Sequence, residues 1–208
     1  MAALIIKGGT KGGGYERKIR QKRKLILETA RKVFMEKGYK LVTMKDIVEA
    51  CEISRGGLYL YFQSTRELFE EVLRSEQEDA DDLFAGNIPK EAAPSDILAL
   101  LLKEQKKEIL SRNASLNKAI YEYFFENQEP YKDNMLKKQF DAAVYVIEKL
   151  ILDGVENGEF YCEDPRGTAR HIMYVLEGLK IASQTRGISE AAIDREILYV
   201  MQGLIVDE

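Results

Sequence analysis

The chain has 208 residues, of which 45% are hydrophobic and 32% charged, a composition typical of a globular protein with a sizeable core. It has no run of about 20 apolar residues, which argues against a transmembrane helix, and its two cysteines are too few for a disulfide framework. Residues 1–62 carry 14 Lys and Arg against 6 Asp and Glu, a net charge of +8, whereas the remainder carries −12. This asymmetry favours an N-terminal part that faces a polyanion, although a basic solvated helix gives the same charge.

The N-terminal part begins with a glycine-rich segment and continues with a helix. Residues 1–14 lack the apolar stretch of a secretory signal and are predicted to be a flexible leader outside the fold. From there on, apolar residues recur at helical spacing without lasting strand-like alternation, which predicts an all-α fold of about nine helices. The first helix is expected over residues 16–37, with Gly38 as its left-handed cap.

Two short helices are predicted next. Thr43 and Asp46 resemble a capping box for a helix over residues 44–51. Ser54 is the next N-cap candidate and predicts a helix over residues 55–62. Two short helices with a third packed nearby form the arrangement in which the second of the pair enters the major groove of DNA.

The third helix has two unusual features. Leu58 and Phe62 fall on one face of its helical wheel, which we expect to be buried, and Gly56, Gly57 and Leu60 point away from it. Each glycine costs about 1 kcal/mol relative to alanine, and an outward leucine has nothing to pack against in one protomer. Both features are explained if this face is pressed against another molecule.

With DNA as that molecule, each side chain of the outward face has a role. The glycines let the backbone approach the groove, and Leu60 can contact a thymine methyl group. Tyr59 and Tyr61 flank the face and can donate to phosphates, a role that the wheel favours over simple packing. Arg55, at the positive end of the helix dipole, is the best candidate for a base contact. The basic run over residues 17–24 either follows the phosphate backbone or is solvated.

The acidic remainder is predicted to contain six more helices. Proline, glycine and capping signals place them over residues 64–83, 95–112, 116–126, 131–156, 165–185 and 190–204. The sequence shows neither an internal repeat nor a cluster of metal-ligating residues, and we predict no cofactor.

Residues 28–73 resemble the N-terminal domain of TetR-type (TetR/AcrR) transcriptional regulators, and the matching segment is ETARKVFMEKGYKLVTMKDIVEACEISRGGLYLYFQSTRELFEEVL. The resemblance implies a DNA-binding helix-turn-helix domain over residues 15–63 and a helical effector-binding and dimerisation domain over residues 64–208. It also implies a cytoplasmic, ligand-responsive regulator, in most cases a repressor. Such a regulator binds a palindromic operator in double-stranded DNA as a homodimer, and a small-molecule effector releases it.

The predicted DNA-contact set is drawn from this segment. It consists of Thr43, Lys45, Ser54, Arg55, Gly56, Gly57, Tyr59, Leu60, Tyr61 and Thr65. The resemblance matches Thr43, Tyr59 and Tyr61 to phosphate contacts. Three positions depart from the family pattern: Glu52 stands where glycine is usual, Val48 where alanine is common, and Thr65 where a lysine usually meets phosphate.

Dimerisation is expected because two recognition helices are needed to reach major-groove faces about 34–36 Å apart. The apolar faces of the last two helices are predicted to form the interface, with packing on the protomer's own body as the alternative. The predicted interface residues are Ile172, Val175, Leu176, Leu179, Ile193, Ile197, Val200, Met201 and Leu204.

An effector cavity is predicted among the aromatic residues of the acidic remainder, although aromatic residues at helical spacing more often form ordinary core. The candidates, with the only histidine of the chain, are Phe84, Tyr121, Phe124, Phe125, Phe140, Tyr145, His171 and Tyr174.

Two other classes of function compete with a regulator. An enzyme is disfavoured because the sequence shows no pairing of nucleophile and base, no phosphate-binding glycine loop and no metal cluster. A helical adaptor that binds a protein partner through the same N-terminal surface is the alternative. Salt dependence separates the two binding functions, because counterion release makes DNA affinity fall steeply with salt.

Overall fold

The computed structural model describes residues 12–87, 92–111, 115–127 and 134–204, with the side chains of residues 12–13 and 78–87 left out. Within these ranges the secondary structure is entirely helical, which confirms the predicted all-α fold. The helices are α1 (Gly12–Lys37), α2 (Met44–Ala50), α3 (Arg55–Tyr59), α4 (Thr65–Asn87), α5 (Pro94–Leu110), α6 (Asn117–Glu126), α7 (Met135–Glu156), α8 (Pro165–Thr185) and α9 (Glu190–Gln202). None of the described helices is long and apolar enough to cross a membrane.

Side-chain caps start several of these helices where the sequence predicts them. Ser54 Oγ accepts a hydrogen bond from the Gly57 N–H at 3.1 Å and starts α3. Ser189 Oγ accepts from the Ala192 N–H at 3.3 Å and starts α9. Each cap satisfies one of the backbone donors that the first turn of a helix leaves without a partner.

Four predicted boundaries are wrong by three or more residues, and one of them is the end of α4, which lies at Asn87 instead of residue 83. α1 begins at Gly12, so the last three residues of the expected flexible leader are helical, and residues 1–11 lie outside the described ranges. α3 ends at Tyr59 instead of residue 62. α7 begins at Met135 instead of residue 131, because Asn134 caps it by accepting from the Lys137 N–H at 3.0 Å.

Two hydrophobic cores hold the helices together. The N-terminal core joins α1 to α4 with α6, and among its most deeply buried side chains are Phe34, Phe62, Phe69 and Tyr123. The C-terminal core joins α5 with α7, α8 and α9. Burial of each large apolar side chain stabilises the fold by about 1.5–3 kcal/mol. The N-terminal core therefore ties α4 and α6, which lie beyond residue 63, to the three-helix unit.

The turn between α2 and α3 contains the non-glycine residue Glu52 at a φ of 52°. An L-residue in this left-handed conformation costs about 1–2 kcal/mol because its Cβ crowds the following carbonyl oxygen. This is the position at which the sequence departs from the glycine that is usual in the resembling family.

We predict that Glu52→Gly raises the free energy of unfolding by about 0.5 kcal/mol, because relief of the backbone strain exceeds the added entropy of the unfolded chain. Glu52→Val is expected to lower it by at least about 1 kcal/mol, since a β-branched residue tolerates a positive φ poorly. Urea denaturation of both variants measures the two effects. A glycine variant less stable than the parent would contradict the strain argument.

Candidate nucleic-acid interface and effector cavity

The α3 helix presents the outward face that its helical wheel predicts. Leu58 and Phe62 are buried, whereas Leu60 is 83% exposed. A Cβ atom built on Gly56 would meet nothing within 4 Å, and one on Gly57 would meet only Ser54 Oγ, at 3.1 Å. The glycines therefore do not serve close packing of large groups inside the protomer. They leave the α3 backbone open to a molecule outside it.

Arg55 and Tyr59 act as a pair on this face. The guanidinium carbon of Arg55 lies 5.5 Å from the centre of the Tyr59 ring, within the range of a cation–π contact. Arg55 is exposed, and it has no ion-pair partner among the described residues. Tyr61 is half-buried and packs against the N-terminal core. The Tyr59 ring thus orients a guanidinium whose donors are free for an external acceptor.

Two hydroxyl groups of the predicted contact set already hold the helix starts. Thr43 Oγ1 accepts from the Asp46 N–H at 3.3 Å and the Thr43 N–H donates to Asp46 Oδ2 at 2.8 Å, which confirms the capping box of α2; the Thr43 hydroxyl also donates to Asp46 Oδ2, at 2.6 Å. Ser54 Oγ serves as the cap of α3. Their structural roles are to fix where the two short helices begin.

The remaining cations near this face are mostly paired. Lys45 Nζ lies 3.6 Å from Glu49 Oε1, and both side chains are exposed. Arg23, from the basic run of α1, pairs with Glu71 and lies 5.3 Å from the centre of the Phe62 ring. Exposed pairs of this kind contribute at most about 1 kcal/mol, so Lys45 can exchange its carboxylate for a phosphate at little cost.

Thr65 is half-buried at the first position of α4, beside the cap that Ser64 provides. Glu67 completes this start, because its carboxylate accepts from the Gln63 N–H at 2.6 Å, one residue before the cap. The neighbouring Arg66 is held by Glu70, with its Nε 2.8 Å from Glu70 Oε1. Arg66 is therefore not free to make the phosphate contact of the lysine that Thr65 replaces.

A cavity of about 880 Å³ lies among α5, α6, α7 and α8, and α1 and α4 close one side of it. Its walls are largely apolar, with Leu73, Leu101, Ile120, Leu136, Val146 and Met173 among the lining residues. Three of the predicted aromatic residues, Tyr121, Phe124 and Phe140, line it. Its volume lies within the range of sites for drug-sized molecules, about 300–1,000 Å³.

The other aromatic candidates do not belong to this cavity. Phe125 is 78%, Tyr145 59% and Tyr174 61% exposed, and none of them lines it. His171 is also exposed and outside the lining, so the cavity does not bring these four predicted residues together. They lie on helices that border the cavity but point away from it. Phe84 belongs to α4, and its side chain lies outside those that the structure describes.

The cavity lining also contains charged groups that sequence reasoning missed. Arg31 Nε lies 2.6 Å from Glu76 Oε1, and Lys180 Nζ lies 3.1 Å from Glu108 Oε2. A fifth group, Glu177, is half-buried in the same wall. The available signal was helical spacing: Glu177 and Lys180 lie four and seven residues after Met173, so all three share one face of α8.

Helix α6 connects the cavity with the three-helix unit. Ile120, Tyr121 and Phe124 line the cavity from α6. From the same helix, Glu122 Oε2 accepts from the Lys40 N–H, in the turn between α1 and α2, at 3.0 Å. Lys40 Nζ also lies 3.1 Å from the carboxylate of Glu126. One helix therefore touches both the cavity and the start of the helix-turn-helix.

Gly38 allows this close approach. It ends α1 with a φ of +81°, as the sequence predicts, and a Cβ at this position would lie 2.6 Å from a carboxylate oxygen of Glu122. Any larger residue would therefore be strained by the positive φ and would displace the Glu122 carboxylate from the turn.

The predicted interface residues pack inside the protomer. Those fully buried in the C-terminal core are Ile172, Leu176, Leu179, Ile193, Val200 and Leu204, and Val175, Ile197 and Met201 pack against the same core. The alternative that these faces cover the protomer's own body therefore accounts for the six buried residues, whereas the other three are only partly covered by it. The exposed apolar residues of α8 and α9 are instead Tyr174, Ile181, Leu198 and Tyr199.

Comparison with known proteins decides between the classes of function. Residues 26–72 match the family model for bacterial regulatory proteins of the tetR family, and residues 97–206 match the tetracyclin repressor-like C-terminal domain. The chain belongs to the TetR family. TetR-family proteins are helix-turn-helix transcriptional regulators, which confirms the resemblance seen in residues 28–73.

Individual TetR-family relatives support this assignment over most of the chain. The HTH-type transcriptional regulator YfiR of Bacillus subtilis is 31% identical over 160 residues, which cover 74% of this chain and 76% of YfiR. The regulator QacR of Staphylococcus aureus is 25% identical over 169 residues, or 79% and 87% of the two chains. A transcriptional regulator from Saccharomonospora viridis, solved in complex with choline, has the same fold. Its TM-score is 0.79 at 21% identity, with 90% of this chain and all of that chain covered.

The capping box of α2 also links this helix to α1. Lys37 Nζ, at the end of α1, lies 2.6 Å from Asp46 Oδ1. Hydrogen bonds from Lys37 and Thr43 hold the pKa of Asp46 well below its usual range. The ionised carboxylate of Asp46 therefore contributes stability above its unfolded-state pKa, and this contribution is lost as the pH falls below that value.

We predict that Asp46→Asn lowers the free energy of unfolding by about 1 kcal/mol at pH 7, because it removes a capping acceptor and an ion pair. The difference between the parent and the variant should shrink below about pH 4, where Asp46 of the unfolded chain starts to take up a proton while the folded carboxylate stays ionised. Urea denaturation at pH 7 and pH 3 measures both values. Exposed Glu163→Gln is the control, and an equal loss for it, or a pH-independent loss for Asp46→Asn, would contradict this role.

Proposed function

We propose that this TetR-family regulator is a repressor in the cytoplasm that binds a palindromic operator as a homodimer and is released by a small molecule in its cavity. The observation that carries DNA reading is the outward face of α3. Its Gly56 backbone is open, Leu60 is exposed, and the Arg55 guanidinium lies over the Tyr59 ring. A guanidinium held in this way can donate two hydrogen bonds to a guanine edge in the major groove.

The proposed contact roles follow from what each side chain has available. Arg55 reads a base, and Gly56 and Gly57 let the α3 backbone approach the groove. Tyr59 and Lys45 contact phosphates. Other members of the predicted set act by position: Thr43 and Ser54 fix the starts of α2 and α3.

Release by an effector is proposed to act through α6. A molecule in the cavity contacts the α6 residues that line it, and Glu122 and Glu126 hold the α1–α2 turn from the same helix. A ligand shifts a conformational equilibrium only through different affinities for the two states. The effector therefore has to favour the position of α6 in which the two α3 helices of the dimer no longer fit one operator.

The dimer interface is proposed to use the exposed apolar face of α8 and α9. Tyr174 and Ile181 on α8, and Leu198 and Tyr199 on α9, are all more than 40% exposed. Tyr174 and Ile181 lie seven residues apart and so share one face of α8, and exposed apolar groups of this kind mark a site of association because water solvates them poorly.

The Saccharomonospora viridis protein with choline supports only the general expectation that this fold accommodates a small molecule.

The decisive experiment is selection of bound duplexes from a random DNA pool at about 150 mM salt, followed by sequencing. An enriched inverted repeat supports a dimer that reads sequence. Absence of enrichment by a folded protein would contradict the proposal and would favour the adaptor alternative.

On the selected operator we predict different losses for two α3 variants. Arg55→Ala should cost about 1–3 kcal/mol of binding free energy and relax the preference at one base position, because it removes a base contact. Tyr59→Phe keeps the ring under Arg55 and removes only the hydroxyl, so it should weaken all sequences about equally.

Fluorescence anisotropy on the operator and on single-base variants of it measures both effects. Tyr161→Phe, which removes an exposed tyrosine hydroxyl far from α3, is the matched control. The base-reading role of Arg55 would be refuted by an equal loss on every sequence.

A further inference from the structure

The charged groups of the cavity leave one carboxylate unmatched. The lining contains three carboxylates, on Glu76, Glu108 and Glu177, and two cationic groups, on Arg31 and Lys180. Arg31 pairs with Glu76 and Lys180 pairs with Glu108, at 2.6 Å and 3.1 Å. Among the described residues, Glu177 has no ion-pair or hydrogen-bond partner. The lining therefore carries one net negative charge at a half-buried position.

Burial makes this unmatched charge costly. The pKa of Glu177 is raised because burial disfavours its carboxylate, and nearby Lys180 offsets this effect only in part. A carboxylate that is partly removed from water is stabilised by an opposite charge more than an exposed one is, because solvent screens the pair less. A positively charged ligand supplies the partner that the protein does not.

Three aromatic side chains, those of Tyr121, Phe124 and Phe140, line the same cavity as this carboxylate. Burial, followed by the carboxylates of Glu177 and Glu108, raises the pKa of Tyr121 to about 12, as expected for a hydroxyl that shares the cavity wall with both carboxylates. The face of an aromatic ring attracts a cation, most strongly where water is excluded.

A buried donor gives an independent sign that a ligand completes this cavity. Asn117, at the start of α6, lines the cavity and is only 6% exposed. Its Nδ2 atom has no hydrogen-bond partner in the part of the chain that the structure describes. Buried polar atoms are nearly always paired in folded proteins, so an orphan donor in a cavity wall is expected to find its acceptor on a bound molecule.

We propose that the effector is a lipophilic organic cation, a quaternary or protonated amine that faces Glu177 and the Tyr121 ring, while the rest of the molecule is largely apolar and carries one hydrogen-bond acceptor for Asn117 Nδ2. This inference rests on the proposed function, because it names the chemical class of the effector for the same cavity. An anionic ligand is disfavoured, because both cations of the lining are already paired and Glu177 would repel it. A neutral ligand would leave the Glu177 carboxylate buried without a counter-charge.

The test compares three probes that share one alkyl chain and differ in charge: octyltrimethylammonium, 1-octanol and octyl sulfate. Isothermal titration calorimetry measures the affinity of each for the full chain without DNA. The cation is expected to bind at least about tenfold more tightly than the alcohol, and the sulfate to bind most weakly. Equal or stronger binding of the alcohol or the sulfate, or binding of none of the three, would overturn the proposal.

Two sets of variants locate the cation in the cavity. Glu177→Gln is expected to reduce the affinity for octyltrimethylammonium about tenfold and to leave that for octanol nearly unchanged. Exposed Glu163→Gln, outside the cavity, is the matched control and should change neither. Tyr121→Leu should weaken cation binding more than Tyr121→Phe, because only the latter keeps a ring. Thermal denaturation verifies that each variant is folded, and unchanged cation affinity in folded Glu177→Gln would overturn the assignment.

Operator binding with and without the cation separates the two proposals. If the cation binds tightly but operator affinity does not change, the cavity binds organic cations as proposed. The same result would contradict the proposal that an occupied cavity releases the operator. Release of the operator by octanol, without preference for the cation, would support release and contradict the cation.

Discussion

The packing of Tyr123 fixes the position of α6 against the N-terminal core, and the rest of the arrangement depends on this contact. The Tyr123 ring is buried on α6, 5.3 Å from the centre of the Phe69 ring and 5.0 Å from that of Tyr39, and its hydroxyl donates to Glu70 Oε1 at 2.6 Å. Aromatic contacts of this geometry add about 0.5–1.5 kcal/mol each to the burial of the rings. A buried hydroxyl left without its acceptor would cost about 1–3 kcal/mol, so α6 has little freedom to slide against α4.

This constraint makes α6 a mechanical link between the two sites. The helix carries Tyr121 and Phe124 toward the cavity and Tyr123 into the N-terminal core. Packed interiors do not deform continuously, so in the proposed release a ligand that displaces one face of α6 would also displace the other. The hydrogen bond between Glu122 and the Lys40 N–H would then carry this displacement to the turn that precedes α2.

The α3 helix gains little stability from packing within the protomer, and much of its surface is left open to another molecule. Leu58 anchors it, the open backbone at Gly56 weakens it, and Leu60 stays in solvent. Its caps and the Asp46 interactions at the start of α2 offset part of this loss, since each helix is too short to be stable alone. The two parts of the chain also differ in charge. The positive N-terminal part suits the phosphate backbone of DNA, and the acidic remainder surrounds a cavity with an unmatched carboxylate.

The sequence by itself determined the features that depend on neighbours a few residues apart. In the described part of the chain, the nine helices, the Thr43 and Ser54 caps, the Gly38 ending and the contrast between buried Leu58 on α3 and exposed Leu60 just after it all follow from local spacing. Only the tertiary structure decided which apolar face meets which neighbour. Phe125, Tyr145 and Tyr174 have the same chemistry as the aromatic residues that line the cavity, yet they point into solvent.

The sequence does not show which neighbour a side chain meets, and this also explains why the interface prediction and the cavity charges needed the structure. An apolar stripe on α8 or α9 shows that a face is covered, but it does not show whether the protomer or a partner covers it. The pairing of Lys180 with Glu108 joins residues on α8 and α5, and the isolation of Glu177 is visible only once those pairs are known. The geometry of the helical backbone fixes which residues three or four positions apart share a face, so this information can be read directly from the sequence. The filling of a cavity and the matching of its charges depend on how several helices pack together, which only the folded structure determines.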